Sequence, residues 1–156
     1  MRSDLITLRP ANASDIEIFY THQLDPVSTD LAKVHARSRE SFDAHWDAIL
    51  NNPNTIARTI LFDDQVVGLI NTFPVKDERH IGYWIDRAHW GKRIASGAIA
   101  RMVEVDPSRP LHAIVAIDNL GSMKALERSG FVRIGEEHSE ETERYMACVV
   151  VRFELR

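Results

Sequence analysis

Between Tyr83 and Ala95 the chain reads Tyr-Trp-Ile-Asp-Arg-Ala-His-Trp-Gly-Lys-Arg-Ile-Ala. An aromatic and β-branched run passes through a short turn with a glycine into an apolar-periodic segment, so a strand hands over to a helix within a few residues. The helix is expected to open on Gly91-Lys92-Arg93. A helix N-terminus carries unpaired backbone N–H groups and the positive end of its dipole, and it favours Asp or Glu in its first turn. Lys92 and Arg93 run against that preference. A polyanion such as a pyrophosphate resting on the turn would reconcile them.

The rest of the chain alternates in the same way. Leu5 to Arg9 reads as a strand, and Asn12-Ala13-Ser14-Asp15 offers caps for a helix through Ile16, Ile18, Phe19 and Tyr20. Residues 23–38 read as irregular, with Asp25-Pro26 as a turn. Ser41 to Leu50 places Phe42, Trp46, Ile49 and Leu50 on one helical face, and Asn51-Asn52-Pro53-Asn54 stops it. Ile56 to Phe62 and Val66 to Phe73 flank the hairpin signal Asp63-Asp64-Gln65. His80 to Ile85 forms the next strand, after the charged turn Lys76 to Arg79. The helix after Gly91 ends at Asp106-Pro107. Leu111 to Ile117 suits a strand buried on both faces. Asn119 caps a helix that Gly130 ends. Phe131 to Gly135 and Tyr145 to Leu155 are two further strands, joined by an acidic loop from Glu136 to Glu143.

The chain has 156 residues, of which 44% are apolar and 27% charged, and this suits one soluble α+β domain spanning 1–156. A net charge of −4 provides no global field for nucleic acid or an anionic membrane. The single cysteine, Cys148, excludes an intrachain disulfide and a cysteine-based metal cluster, and its apolar neighbours make it read as a small buried hydrophobe. The histidines show no ligand spacing, so no metal is expected. No run approaches the ~18 apolar residues of a membrane helix. Residues 1–20 are too charged for a secretory signal, and a cytoplasmic location is expected.

Tyr83-Trp84-Ile85-Asp86…Trp90-Gly91-Lys92 and Asn119…Ser122…Leu126-Glu127-Arg128-Ser129-Gly130-Phe131 resemble two signatures of the GNAT superfamily of acyl-CoA-dependent N-acetyltransferases. The resemblance covers nearly the whole chain and is nearest to the group containing the ribosomal-protein N-terminal acetyltransferases. It implies a mixed, largely antiparallel central sheet of about six to seven strands flanked by about four helices, with a splay between strands four and five. It implies acetyl-CoA as acyl-donor co-substrate and a primary amine as acceptor, a protein N-terminus or a small molecule. The family's [QR]-x-x-G-x-[GA] turn is matched at Gly91, while Ala88 and Arg93 depart from it. Arg93 either adds a charge-assisted contact or crowds the phosphates where the backbone needs φ > 0.

On that resemblance, Tyr83, Trp84, Ile85, Gly91, Lys92, Arg93, Ile94, Ala95, Ser96, Asn119 and Ser122 are the coenzyme-binding candidates. The general-acid tyrosine of many relatives falls at Leu126 and is absent, which leaves Ser122 to reach the thiolate. An amine of pKa ~10.4 is almost wholly protonated at neutral pH, so a base helps, whereas an N-terminal α-amine of pKa ~7.7–8 asks less. Glu78 and His80 are the base candidates, with His45 behind them. Phe42 and Trp46 serve the core or wall the acceptor site. The acidic run Glu136 to Glu143 is a solvated loop, or it attracts a cationic acceptor or faces a partner subunit. The apolar final strand Ala147 to Leu155 offers a homodimer surface. The rival reading is an acyl-CoA-binding module with little or no catalysis.

Overall fold

The computed structural model describes residues 2–156. The elements are β1 (Ile6–Pro10), α1 (Ile16–Gln23), α2 (Pro26–Ala32), α3 (Arg39–Asn51), β2 (Ile56–Phe62), β3 (Gln65–Val75), β4 (Glu78–Ile85), α4 (Ile94–Val105), β5 (Leu111–Ala116), α5 (Leu120–Arg128), β6 (Val132–Ser139) and β7 (Cys148–Leu155). The strands form one seven-stranded sheet in the order β1-β2-β3-β4-β5-β7-β6. Among the described residues, only β4 and β5 run parallel. The expected mixed sheet with its splay between the fourth and fifth strands is present, with five α-helices rather than four among the described residues.

Register sorts the side chains. Ile70, Ile81, Ala113, Val115, Val151 and Phe153 share one sheet face, where Ile94, Ala98, Ile99 and Met102 of α4 and Leu126 of α5 close the main core. The opposite face is covered at the β2–β3 side by Phe19, Phe42 and Trp46 of α1 and α3, packed against Ala57 and Leu69. Phe19 and Trp46 rings lie 5.1 Å apart. Beyond β3 this second face is covered unevenly: His80 and His112 are buried, while Ile114 is 44% exposed. Its exposure corrects the expectation of a β5 strand buried on both sides.

Local chemistry explains the boundaries and the other corrections. Asp25-Pro26 starts a helix rather than a turn, because Asp25 accepts from Ser28 N as an N-cap and Pro26 occupies the first helical position. Both hairpin residues, Asp63 and Asp64, have positive φ (51° and 64°), as a tight two-residue hairpin turn requires. The expected acidic loop is largely strand: β6 runs through Glu136 and Glu137 to Ser139. Cys148 is half-exposed on β7, not buried. The final strand is interior, paired with β5 on one side and β6 on the other, so it has no free edge for a homodimer. Among the described residues, no helix is long and apolar enough to cross a membrane.

Candidate active site

The parallel ladder of β4 and β5 is limited to Arg79↔Leu111 and His80↔His112. Strand β4 stays paired with β3 as far as Ile85, and Asp86 N donates to Val67 O at 2.8 Å. Backbone groups alternate sides along a strand, so Gly82 and Trp84 face β3, and Ile81, Tyr83 and Ile85 turn their N–H and C=O groups toward the gap. Beyond His80 no strand reaches them. Such groups need partners, and an extended amide-bearing chain inserted between the strands would supply them.

Past the gap the chain enters the glycine turn. Gly91 has φ +81°, and Arg93 is left-handed at φ 58° and ψ 28°. Left-handed residues cannot belong to a right-handed helix, so Gly91-Lys92-Arg93 precedes α4 instead of forming its first turn, and Arg93 is the N-cap. Its backbone costs about 1 kcal/mol. The first intrahelical amide is Gly97 N, which donates to Arg93 O at 3.2 Å. The N–H groups of Ile94, Ala95 and Ser96 therefore have no acceptor within α4, and no acidic residue occupies its first turn. Ser96 Oγ is buried with no partner.

Across the gap, Asn119 caps α5, its Oδ1 accepting from Ser122 N at 3.3 Å. Ser122 Oγ lies 2.6 Å from Tyr83 Oη, which also donates to Ser122 O at 3.3 Å. Burial pushes the Tyr83 phenol up to about 12, against a smaller opposing effect of the Ser122 bond, so it keeps its proton at any physiological pH. This bond ties the strand side of the gap to the helix side.

These parts line a single cleft of about 630 Å³. Tyr83, Trp84, Ile85, Gly91, Arg93, Ile94, Ala95, Ser96, Asn119 and Ser122 all face it. Lys92 does not. Its ammonium contacts His89 Nδ1 at 3.3 Å and sits 5.6 Å from the Phe62 ring. Sequence reasoning missed Trp90, Lys124 and Arg128, which also line the cleft, together with Ser28, Leu31 and Ala32 of the unrecognised α2. Lys124 and Arg128 were findable, since cations four apart after the Asn119 cap share one helical face. A phosphate-bearing coenzyme fits the donor set: free first-turn amides, an unpartnered Ser96 hydroxyl, and cations at Arg93, Lys124 and Arg128. Leu126, in contrast, is 0% exposed in the main core and faces no cleft.

Glu78 and the buried His80 lie on the second sheet face, with the buried His112 beside them. His80 Nε2 is 3.0 Å from Glu78 Oε1, His112 Nε2 is 3.6 Å from Oε2, and Arg152 Nη2 donates to both oxygens at 3.0 and 3.3 Å. The hydrogen bond from His80, helped by Arg152 and opposed by desolvation, holds the Glu78 carboxyl below its usual range. An ionised carboxylate only accepts, so His80 Nε2 donates in this contact. Asn71, opposite Gly82 on the same face, is 7% exposed, and its Oδ1 has no partner. Trp84 Nε1 and His112 Nδ1 are likewise buried without partners on this face. Phe42 and Trp46 are 5% and 2% exposed in the second core, where Trp46 packs on Phe19 and Phe42 on Trp46 and Tyr20, away from the cleft.

The model of the GNAT acetyltransferase domain matches residues 6–132. The chain belongs to that family. A probable N-acetyltransferase YjcK of Bacillus subtilis (strain 168) is 36% identical over 81 residues, covering 47% of this chain and 45% of that relative, so the match spans less than half of the relative's length. Among solved structures, the Vibrio cholerae spermidine N-acetyltransferase in complex with CoA and spermine superposes with a TM-score of 0.82 at 16% identity, covering 97% of this chain and 95% of that one. The ribosomal L7/L12 α-N-protein acetyltransferase RimL in complex with coenzyme A gives 0.77 at 17% identity, covering 99% and 96%. These GNAT structures share the fold, and both hold the coenzyme.

Proposed function

We propose that this GNAT chain, as one domain over residues 1–156, is an acetyl-CoA-dependent N-acetyltransferase acting on a primary amine by direct attack in a ternary complex. The observation that carries the reading is the splay. β4 leaves β5 after His80, and the gap opens onto the free N-terminus of α4. The bound coenzyme supplies an acetyl thioester. First-turn amides of α4 with Arg93, Lys124 and Arg128 hold its phosphates, and the gap-facing groups of Ile81, Tyr83 and Ile85 hold its amide-bearing arm. Tyr83 N–H, aimed into the gap, polarises the acyl carbonyl.

On the second sheet face, His80 Nδ1 accepts a proton from the acceptor amine, with Glu78 fixing the tautomer through Nε2. Asn71 Oδ1 receives an N–H of the same amine. On the helix side Ser122 Oγ faces the leaving sulfur, steered by Tyr83 Oη. The acceptor is a protein N-terminus or a small amine, and a cytoplasmic location is the expectation to check by fractionation. The deciding experiment is thiol release from acetyl-CoA across a panel of primary amines, beside a calorimetric titration with coenzyme A. Amine-dependent release supports the enzyme. Binding without release supports the acyl-CoA-binding module, and absence of binding removes both.

A further inference from the structure

Glu78 is the first residue of β4, and its backbone alone does not fix its side chain. It follows a tight turn in which Lys76 has φ 54°. The Glu78 backbone pairs with Val75 of β3, whereas the ladder to β5 begins at Arg79 and ends at His80. A glutamate side chain has many rotamers, and ordering it consumes much of what one charge-assisted hydrogen bond provides. His80 Nε2, 3.0 Å from Glu78 Oε1, therefore holds the carboxylate with little to spare.

A second tether comes from the far side of β5. Arg152 lies on β7, opposite Ile114 of β5. In the strand order β4-β5-β7 its guanidinium must pass over β5 to reach β4. Nη2 donates to both oxygens of Glu78, at 3.0 and 3.3 Å, and Nη1 donates to Glu137 of β6 at 3.4 Å. His112 Nε2 stands 3.6 Å from Glu78 Oε2. The carboxylate is thus approached from β4, β5 and β7 at once. The His80 ring is packed too, its centroid 6.2 Å from that of Phe73 and 5.7 Å from that of His112. The remaining charges nearby act at one remove. Glu137 enters through Arg152, Glu154 opposite His112 is paired with Arg156, and Lys76 and Asp77 lie in the exposed turn. On the β3 side the facing residues, Phe73 and Val75, are uncharged.

We propose that Arg152 is a positioning residue for the base: clasping Glu78 across β5, it keeps the carboxylate on His80 Nε2 and leaves His80 Nδ1 to take the proton of the acceptor amine. This rests on the acetyltransferase reading and extends it to β7, which among the described residues lends nothing to the wall of the coenzyme cleft. In that reaction the amine nitrogen bonds to the acyl carbon, the carbon–sulfur bond breaks, the thiolate leaves and the amine proton passes to Nδ1. Glu78 and Arg152 exchange no proton with the substrate. Their part is to hold the imidazole in one tautomer and one orientation.

Two measurements test it. The first is kinetic, on Arg152→Gln and Arg152→Lys with an amine that the wild-type chain acetylates. Without the guanidinium the cluster is one positive charge short and holds a proton more firmly. The acidic limb of the kcat/KM profile should then move up by about half a unit or more in Arg152→Gln. Release of Glu78 should lower kcat about tenfold, with the amine KM within about twofold. Lysine restores the charge without the planar fork, so Arg152→Lys should return the midpoint to the wild-type value and recover only part of kcat. In a Glu78→Gln background, adding Arg152→Gln should change kcat by less than about twofold. A lower Tm with the pH profile unmoved, or an additive loss in the double variant, overturns the proposal.

The second needs no turnover. Long-range proton–nitrogen correlation spectra, taken where the imidazoles are neutral, report which nitrogen of His80 carries the proton. The wild type and Arg152→Lys should show Nε2–H, and Arg152→Gln should show a mixture of the two tautomers. An unchanged His80 tautomer in Arg152→Gln overturns the clasp. If no amine at all is acetylated, the acetyltransferase reading fails and takes the catalytic role of Arg152 with it. The tautomer measurement still decides whether Arg152 holds Glu78 against His80.

Discussion

Replacing Gly68 by alanine tests whether the spacing of β3 and β4 sets the geometry of the splay. A Cβ at this position would lie 2.2 Å from the Trp84 carbonyl oxygen, and the nearest flanking atom, Ile85 Cα, would be at 3.2 Å. Ordinary contact begins near 3.4 Å, so the methyl must push Trp84 back by 3.4 minus 2.2, or 1.2 Å. The obstacle is backbone and cannot swing aside. Overpacking of this kind costs about 1–3 kcal/mol, and the lower chain entropy of alanine returns about 0.5–1 kcal/mol. The net loss is about 0–2.5 kcal/mol, a fall in Tm of up to roughly 10 °C for a domain of this size. The larger effect is on rate. Tyr83 and Trp84 form the strand wall of the gap, and a displacement of about 1 Å there should lower kcat on the order of 100-fold. Thermal melting and thiol-release kinetics measure the two, with Gly135→Ala as control, because a Cβ at Gly135 meets nothing within 4 Å. If Gly68→Ala matches that control in both Tm and kcat, the tight strand approach has no bearing on the site.

Tyr83→Phe removes the 2.6 Å contact with Ser122 and should cost about 1 kcal/mol of stability. It should also lower kcat about tenfold while coenzyme A affinity by calorimetry stays within about twofold; a change in stability alone would deny Ser122 a place at the leaving sulfur. Arg93→Gly relieves the left-handed strain and should raise stability by up to about 1 kcal/mol, yet weaken coenzyme A binding about tenfold if the guanidinium grips phosphate. Unchanged affinity would leave Arg93 as a turn residue only. Asp106, 2% exposed, is held below the usual carboxylate range: burial opposes the charge, and bonds from Thr72, Ser108 and Arg79 together outweigh it. Because its folded value is depressed, its stabilisation is complete above about pH 4 and fades as pH falls toward the folded value. Asp106→Asn should therefore lose about 3 kcal/mol at neutral pH and show a shallower acid-unfolding curve, checked by urea melts from pH 7 to pH 3.

Where a segment carried both its period and its stop signals, it was legible. Leu111 to Ile117, the helix capped by Asn119 and ended by Gly130, and the Asp63-Asp64 hairpin are examples. That one cleft draws on Tyr83 to Ser96 and Asn119 to Ser122 was legible too, because these are short contiguous runs. What escaped reading has physical causes. Helix α2 buries mainly Ser28 and Thr29, so no apolar period marks it. Strand β6 is an edge strand with most of its residues in solvent, and its glutamates imitate a loop. Lys92 and Arg93 are neighbours in the chain, yet the left-handed backbone at Arg93 sends only one of them into the cleft. The cluster of Glu78, His80, His112 and Arg152 draws on three strands, and only the register of β4 against β5 and β7 brings it together. Nothing local in the sequence announces it.

The placement of β7 has a consequence for how the molecule assembles. It lies between β5 and β6 but is translated after both. Until residues 148–155 emerge, β5 has an unmatched outer rim and β6 has no neighbour at all. Val151 and Phe153, 0% and 1% exposed when folded, are missing from the main core through the same interval. Closure of the sheet is thus deferred to β7, and a ribosome stalled a few codons before it would leave two sticky β-edges for chaperones to shield.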